Sequence, residues 1–231
     1  EKAAWLDWGK DNYASVSFDN VPKEKRVIIG WMSNWDYAQE VPTQAWRSSM
    51  TVAREVSLKK TNDGYILKNI PVAQLKKYQG KSTRKTIKVK AENQLIEKSQ
   101  IDLSKAVVDL DLKKMTAGKY TFALKNALGE ELTFGIDNTT KELFVDRSKS
   151  GNTDFGNHFA TAVSKAPLNK VYSNVKMKLV IDKTSIEIFF NDGEKVLTEI
   201  FFPNEHFSEL YLSTDTKGST LNISGHQLNI K

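Results

Sequence analysis

Hydrophobic and polar residues alternate along most of this chain with the period of two that is typical of β-strands. The clearest case is residues 184–202, where Ile186, Ile188 and Phe190 fall on one face of a strand. Asp192-Gly193 follows this strand, and such a pair supplies the positive φ that a tight turn needs. The segment is therefore predicted to form a β-hairpin.

A second hairpin is predicted around Asn62-Asp63-Gly64, where it would pair residues 51–59 with residues 65–69. Sustained helical periodicity is nearly absent from the sequence. One short helical piece is predicted at residues 72–77, because Pro71 suits the first turn of a helix. The pattern as a whole predicts an all-β protein.

The spacing of the predicted strands divides the chain into two parts. About four strand candidates match the size of one β-propeller blade, and they lie near residues 13–19, 26–31, 50–59 and 64–69. About nine or ten candidates follow from residue 85, enough for a two-sheet antiparallel sandwich. We therefore predict a four-stranded blade and linker in residues 1–78 and a β-sandwich in residues 79–231.

The predicted blade has two notable features. A single blade cannot bury both of its faces alone and normally packs against neighbouring blades. We therefore expect residues 1–70 to expose apolar surface and to favour self-association. The first 46 residues also hold all five tryptophans of the chain, which are Trp5, Trp8, Trp31, Trp35 and Trp46.

Composition and charge bear on several classes of function. Of the 231 residues, 39% are hydrophobic and 27% are charged, which is ordinary for a folded globular protein. No apolar run reaches the length of about 18 residues that a membrane-spanning helix needs, so no span is predicted. The net charge of +6 divides evenly between residues 1–80 and 81–231, which gives little support to a nucleic-acid partner.

The chain contains no cysteine and only three histidines, His158, His206 and His226. The absence of cysteine excludes disulfides, thiolate nucleophiles and cysteine-ligated metals. The histidines lie far apart in the sequence and lack the spacing of metal ligands. We therefore predict no metal site and no cofactor.

Several stretches, taken in order, resemble one known family. In the first part they read Leu6-Asp-Trp-Gly-Lys-Asp-Asn-Tyr-Ala14, Ile29-Gly-Trp-Met-Ser-Asn-Trp-Asp-Tyr-Ala38 and Trp46-Arg-Ser-Ser-Met-Thr-Val-Ala-Arg-Glu55. In the second part they read Leu143-Phe-Val-Asp-Arg-Ser-Lys-Ser-Gly151, Ala166-Pro167 and Ser185-Ile-Glu-Ile-Phe-Phe-Asn-Asp-Gly193. Together they resemble, over nearly the whole chain, the last blade of the five-bladed propeller and the C-terminal sandwich of glycoside hydrolase family 32, which includes levanases, exo-inulinases and invertases.

The resemblance implies a parent enzyme that hydrolyses β-fructofuranosyl linkages of fructans or sucrose-like sugars with retention. Such an enzyme uses an aspartate nucleophile and a glutamate acid/base about 5–5.5 Å apart. The family's motifs for these residues do not occur here, since Trp31-Met-Ser-Asn-Trp is not followed by Pro and neither Arg-Asp-Pro nor Cys is found. We therefore expect no catalytic residue in this chain, and no activity without the remaining propeller blades of the parent protein. A secreted or periplasmic location is implied as well.

The resemblance also places the candidate substrate-binding residues in the blade. Trp31 matches a tryptophan that walls the fructose pocket in the family, and a place in the blade core is its alternative role. Asp11 and Tyr13 belong to a stretch near the central cavity, where Asp11 is expected either to bond a sugar hydroxyl or to hold a neighbouring loop. Trp35 is the fourth candidate.

The other charged residues are predicted to have structural roles. Two ion pairs are expected, one between Asp146 and Arg147 and one between Arg47 and Glu55. The acidic residues of the first part show no spacing that would place two carboxylates on facing walls of a cleft; they are Asp7, Asp11, Asp36 and Glu40.

Two functions from different classes are consistent with these observations. The chain is either part of a fructan-degrading enzyme, with the sandwich as a structural buttress, or a non-catalytic carbohydrate-binding module. A sugar-binding sandwich would present aromatic residues on its surface. Residues 81–231 contain no tryptophan and only the tyrosines Tyr120, Tyr172 and Tyr211, which favours the buttress.

Overall fold

A computed structural model describes residues 5–62, 64–98 and 100–230 of the chain. These residues form three antiparallel sheets and one short 3₁₀-helix, so the predicted all-β class is confirmed. Asp63, in the middle of the second predicted hairpin turn, lies outside the described residues. No helix of the described part is long and apolar enough to cross a membrane.

The first sheet contains the strand candidates predicted for the blade, but the candidate at residues 50–59 is divided into two strands, so the sheet has five strands and not four. Its strands are β1 (Tyr13–Ser17), β2 (Val27–Met32), β3 (Ser49–Met50), β4 (Arg54–Thr61) and β5 (Gly64–Pro71). They lie in the order β1-β2-β4-β5, and the two-residue β3 pairs with β2. The helical piece predicted at 72–77 is a 3₁₀-helix at Ala73–Tyr78.

The remaining strands form two six-stranded sheets. These strands are β6 (Gln79–Lys88), β7 (Asn93–Lys98), β8 (Ala106–Lys113), β9 (Lys119–Lys125), β10 (Glu131–Asp137), β11 (Glu142–Lys149), β12 (Ser164–Pro167), β13 (Asn174–Asp182), β14 (Ser185–Phe190), β15 (Lys195–Ile200), β16 (Glu209–Thr214) and β17 (Thr220–Leu228). One sheet has the order β12-β11-β10-β9-β16-β7 and the other has the order β15-β14-β13-β8-β17-β6.

The two six-stranded sheets share one hydrophobic core. Phe122 and Phe134, from neighbouring strands of the first of these sheets, stack there with ring centroids 5.5 Å apart. Among the described residues the two sheets contain twelve strands, compared with the nine or ten predicted from residue 85, and the first of the twelve, β6, begins before that residue. The division of the chain at residues 78 and 79 stays a prediction.

Strand β14 explains how the first sheet and the sandwich fit together, because every one of its residues is buried. Ile186, Ile188 and Phe190 point into the sandwich core, as predicted from their spacing. Phe189 lies in a separate apolar cluster on the other face of the sheet, against which Val52 of the first part packs. At β14 the outer face of this sheet is therefore a contact surface for the blade and not a solvated face.

The large exposed apolar side chains are concentrated in the first 70 residues, as expected for a blade. Among the most exposed are Trp5, Tyr13, Val16, Trp35, Leu58 and Tyr65. The predicted exposure of apolar surface is thus confirmed for the described residues. Self-association through this surface stays a prediction.

Gly193 in the β14–β15 turn has both a positive φ of 80° and a close approach to the blade. Its carbonyl oxygen accepts a hydrogen bond of 3.1 Å from the Asn69 backbone N–H. A Cβ at this position would lie 2.1 Å from the Asn69 carbonyl oxygen. Only glycine satisfies both conditions.

We expect Gly193→Ala to lower the free energy of unfolding by more than Gly129→Ala does. Gly129 also has a φ of 80°, but a Cβ there meets no atom within 4 Å. The Gly129 substitution therefore carries only the cost of the left-handed backbone, about 1–2 kcal/mol. Urea unfolding of both variants measures the difference, and equal costs would show that the approach to Asn69 is readily relaxed.

Candidate functional site

Three of the four predicted substrate-binding residues lie together, two on the first sheet and one in the turn that follows β2. Trp31 forms an edge contact with Tyr13, with ring centroids 6.1 Å apart, and a tilted contact with Trp35 at 4.9 Å. Tyr13 is 53% exposed and Trp35 is 63% exposed, whereas Trp31 is half-buried between them. We call Tyr13, Trp31 and Trp35 the aromatic group.

The strand pairing and one turn account for the aromatic group. Tyr13 on β1 is the register partner of Trp31 on β2, and directly opposed residues of antiparallel strands project from the same face. Strand β2 ends at Met32 and the chain turns at Asn34. The Asn34 side chain donates a hydrogen bond of 3.0 Å to the Lys10 carbonyl oxygen and accepts one of 3.0 Å from the Asp36 N–H. This turn brings Trp35 against Trp31.

Asp11, the fourth predicted residue, is fully buried and does not join the exposed aromatic group. Its Oδ2 lies 2.6 Å from Nη1 of Arg147 and accepts a hydrogen bond of 2.9 Å from the Ile200 N–H. Its Oδ1 accepts a hydrogen bond of 2.5 Å from the Tyr37 hydroxyl. Of the two roles left open for Asp11, this geometry favours holding neighbouring segments over bonding a sugar hydroxyl.

Two buried arginines join the first sheet to the sandwich, and neither was predicted to do so. Arg54 on β4 contacts Glu187 on β14 at 2.5 Å and Asp7 at 2.8 Å, and it donates a hydrogen bond of 2.7 Å to the Thr198 hydroxyl. These side chains are buried. We call Arg54, Asp7 and Glu187 the Arg54 cluster.

The second buried arginine extends in the opposite direction, from β11 of the sandwich toward the first part of the chain. Arg147 contacts Asp11 at 2.6 Å and Glu199 at 3.0 Å, both through Nη1. Its Nη2 donates a hydrogen bond of 2.8 Å to the Tyr37 hydroxyl. We call Arg147, Asp11, Glu199 and Tyr37 the Arg147 cluster.

Both predicted ion pairs are wrong. Arg147 pairs with Asp11 and Glu199, which are distant in sequence, and not with its neighbour Asp146. Glu55 pairs with Lys25 at 2.9 Å instead of with Arg47. Neighbours along a β-strand point to opposite faces, so Asp146 and Arg147 cannot share one site.

Burial sets the direction of most pKa shifts in the two clusters. It raises the pKa of Glu199 to about 7 and also raises the pKa of Asp11, and Arg147 only partly offsets the effect. Burial likewise raises the pKa of Glu187, against the opposing charge of Arg54. Asp7 differs, because Arg54 and the Thr198 hydroxyl together outweigh burial and lower its pKa.

The arrangement is that of a structural interface beside an exposed aromatic surface. Asp7 and Asp11 lie in different clusters, each held by its own arginine, so they do not form a pair of carboxylates on facing walls of an open cleft. Asp36 and Glu40 are exposed. The sequence does contain an indication of these clusters: the polar residues Glu187, Thr198 and Glu199 occur in strands whose other residues are typical of a hydrophobic core. Their burial was not predicted.

Two family models match the chain, one after the other. The model described as the N-terminal domain of glycosyl hydrolases family 32 matches residues 1–70, and the model described as the C-terminal part of the same family matches residues 72–229. Together they span the first sheet and both sheets of the sandwich.

Comparison with known proteins gives the same result. The chain is 35% identical over 216 residues to a levanase of Bacillus subtilis (strain 168), and the aligned region covers 91% of this chain and 32% of that protein. It is 30% identical over 231 residues to an extracellular exo-inulinase of Aspergillus awamori, with 96% and 42% covered. The crystal structure of exo-inulinase from Aspergillus awamori superposes with a TM-score of 0.83 at 29% identity over 97% of this chain and 44% of that one. The chain thus spans less than half the length of these relatives, and it belongs to glycoside hydrolase family 32.

Proposed function

We propose that this chain is the C-terminal part of a retaining β-fructofuranosidase that hydrolyses fructans such as levan or inulin, or sucrose-like sugars. The observation that carries the proposal is the match of almost the whole chain to a levanase, at 35% identity. In this proposal both catalytic carboxylates come from propeller blades outside this sequence. The chain alone is then inactive.

The aromatic group is proposed as a wall of the fructose pocket. Sugar rings carry patches of C–H that pack on indole and phenol faces, while polar groups fix their hydroxyls. Trp31 and Trp35 contact each other at the surface, and Tyr13 flanks Trp31. Two exposed rings that flank a half-buried one form an apolar surface that is otherwise costly in water, so a partner surface or ligand is expected to cover it.

The sandwich is proposed as a structural buttress. It contacts the blade through apolar side chains around Phe189 and through the two buried arginine clusters. The alternative, a carbohydrate-binding module, has less support, because Tyr120 is buried and the ring of Tyr172 packs edge-on against Phe190. An extracytoplasmic location is proposed by analogy with the relatives, several of which are named as extracellular.

We expect Trp31→Ala to lower kcat/KM for sucrose and levan by about 10- to 100-fold in the intact protein that contains this chain, the range typical of a lost pocket contact. The control is Trp46→Ala, since Trp46 is a tryptophan of the same part of the chain that is exposed and lies outside the aromatic group. Initial rates of fructose release measure both variants. Equal losses in the two variants, or no loss with Trp31→Ala, would rule out the proposed wall.

The alternative module is tested on the chain by itself. Affinity electrophoresis in gels containing levan or inulin should show little retardation of the 231-residue chain if the sandwich is a buttress. Strong retardation that survives Trp31→Ala would support a separate sugar-binding surface on the sandwich instead.

A further inference from the structure

We propose that Arg147, a sandwich residue, is a positioning residue for the aromatic group of the blade. This inference rests on the proposed function, in which the aromatic group contacts sugar. The structural basis is that two chain segments carry the outer rings of the group, and one guanidinium holds both segments.

The first segment contains Asp11 and Tyr13. Asp11 is fully buried, and two residues later Tyr13 is exposed beside Trp31. Arg147 contacts the Asp11 carboxylate at 2.6 Å. The Ile200 N–H holds the same carboxylate oxygen at 2.9 Å, which ties this segment to β15 as well. The start of β1 is therefore fixed to the sandwich immediately before Tyr13.

The second segment repeats this arrangement. Trp35 is exposed, and two residues later Tyr37 is buried at 2% exposure. The Tyr37 hydroxyl accepts a hydrogen bond of 2.8 Å from Arg147 and donates one of 2.5 Å to Asp11. The hydroxyl thus links the two segments to each other and to the same arginine.

Arg147 is itself held in one position by its surroundings. Its Nε donates a hydrogen bond of 2.9 Å to the Phe159 carbonyl oxygen, and its Nη1 donates one of 3.1 Å to the Ile200 carbonyl oxygen. The guanidinium carbon lies 3.9 Å from the centroid of the Phe159 ring. A planar group with this many fixed partners can set the spacing of what it binds, which a flexible lysine ammonium cannot.

Arg54 provides a matched comparison. It is as buried as Arg147, it also faces two carboxylates, and it also joins the blade to the sandwich. Arg54 holds Asp7, Glu187 and Thr198, none of which is adjacent in the sequence to the aromatic group. Arg147 instead holds Asp11 and Tyr37, each of which lies two residues from an outer ring of the group. Lysine substitution at either arginine should weaken the interface, but only the Arg147 substitution should disturb the aromatic group.

The position of the rings is measured in the intact protein labelled with 5-fluorotryptophan. Trp31 and Trp35 fluorine resonances are assigned from Trp→Phe variants. We expect both resonances to shift in Arg147→Lys and in Tyr37→Phe, and to stay in place in Arg54→Lys. Tyr37→Phe removes only the bridging hydroxyl, so it keeps the test available if Arg147→Lys does not fold. Unchanged resonances in Tyr37→Phe, or equal shifts in Arg54→Lys, would overturn the proposal.

A double-mutant cycle tests whether the effect on catalysis passes through Trp31. We expect Tyr37→Phe to lower kcat/KM for sucrose by about tenfold, since small displacements of a pocket wall are costly. In the Trp31→Ala background the same substitution should have little further effect, because coupled residues are not additive. If the fold losses in kcat/KM from Tyr37→Phe and Trp31→Ala multiply in the double variant, the two residues are not coupled and this part of the proposal is overturned. If Trp31→Ala alone leaves kcat/KM unchanged, the proposed function fails, while the fluorine resonances still decide whether Arg147 positions the rings.

Discussion

Replacing Arg54 by methionine should lower the free energy of unfolding by about 3–5 kcal/mol, the range found when one partner of a buried ion pair is removed. The side chain of Arg54 has no exposed surface, and those of Asp7 and Glu187 are 4% and 2% exposed. Methionine fills a similar volume but leaves both carboxylates buried without a positive partner. Their desolvation is then uncompensated.

Equilibrium unfolding in urea, followed by tryptophan fluorescence, measures this loss, because all the tryptophans lie in the first 46 residues. The control is Lys59→Met, which breaks the exposed pair of Lys59 and Glu194 between the same two parts of the chain. Such surface pairs contribute less than about 1 kcal/mol. Similar losses in the two variants would mean that the Arg54 cluster is not stabilised by its charges. Adding Glu187→Gln to Arg54→Met should recover part of the loss, since one unpaired charge disappears.

The second large effect is a dependence of stability on pH that comes from Glu199. Its pKa is raised from the ordinary value of 4.5 to about 7 in the folded chain, mainly by burial and further by the neighbouring Asp11 carboxylate. Between these two values the folded chain binds more protons than the unfolded chain does. The contribution to stability is therefore complete below pH 4.5 and is lost as the pH rises to about 7.

The expected size of this loss is about 3 kcal/mol, at about 1.4 kcal/mol for each unit of pKa shift. Glu199→Gln removes the titration, so we expect the wild type to lose stability relative to this variant between pH 4.5 and pH 7.5. Unfolding curves at several pH values measure the difference. Glu209→Gln is the control: Lys98 lowers the pKa of Glu209, so the contribution of Glu209 to stability is lost mainly below pH 4.5 and should stay nearly constant over this range. A wild-type advantage that grows with pH would contradict the assignment.

Much of the fold could be predicted from local sequence. The hairpin of β14 and β15, the strands of the first sheet and the 3₁₀-helix at Ala73–Tyr78 all lie where the alternation and turn residues indicate. These features depend on residues near one another in the chain, whose conformational preferences are visible in the sequence. The four-residue β12 is too short to show such a pattern.

The candidate site was only partly predictable. Tyr13, Trp31 and Trp35 were identified from the resemblance, and the structure brings these three together at the surface. Asp11 belongs to the same stretch of sequence, but its burial separates it from them. Whether a residue is exposed depends on what packs over it, and Asp11 is held by Arg147 and Ile200 of the sandwich as well as by Tyr37 of the first part.

The sequence by itself therefore determined the all-β class, the strands with a clear period of two, and the family to which the chain belongs. The tertiary structure alone decided which charges meet. Arg147 lies 136 residues from Asp11 and 52 residues from Glu199, by the numbering of the chain. The sequence does not show which charges will pair, because a buried ion pairs with the opposite charge that the packing of distant strands places within a few ångströms of it.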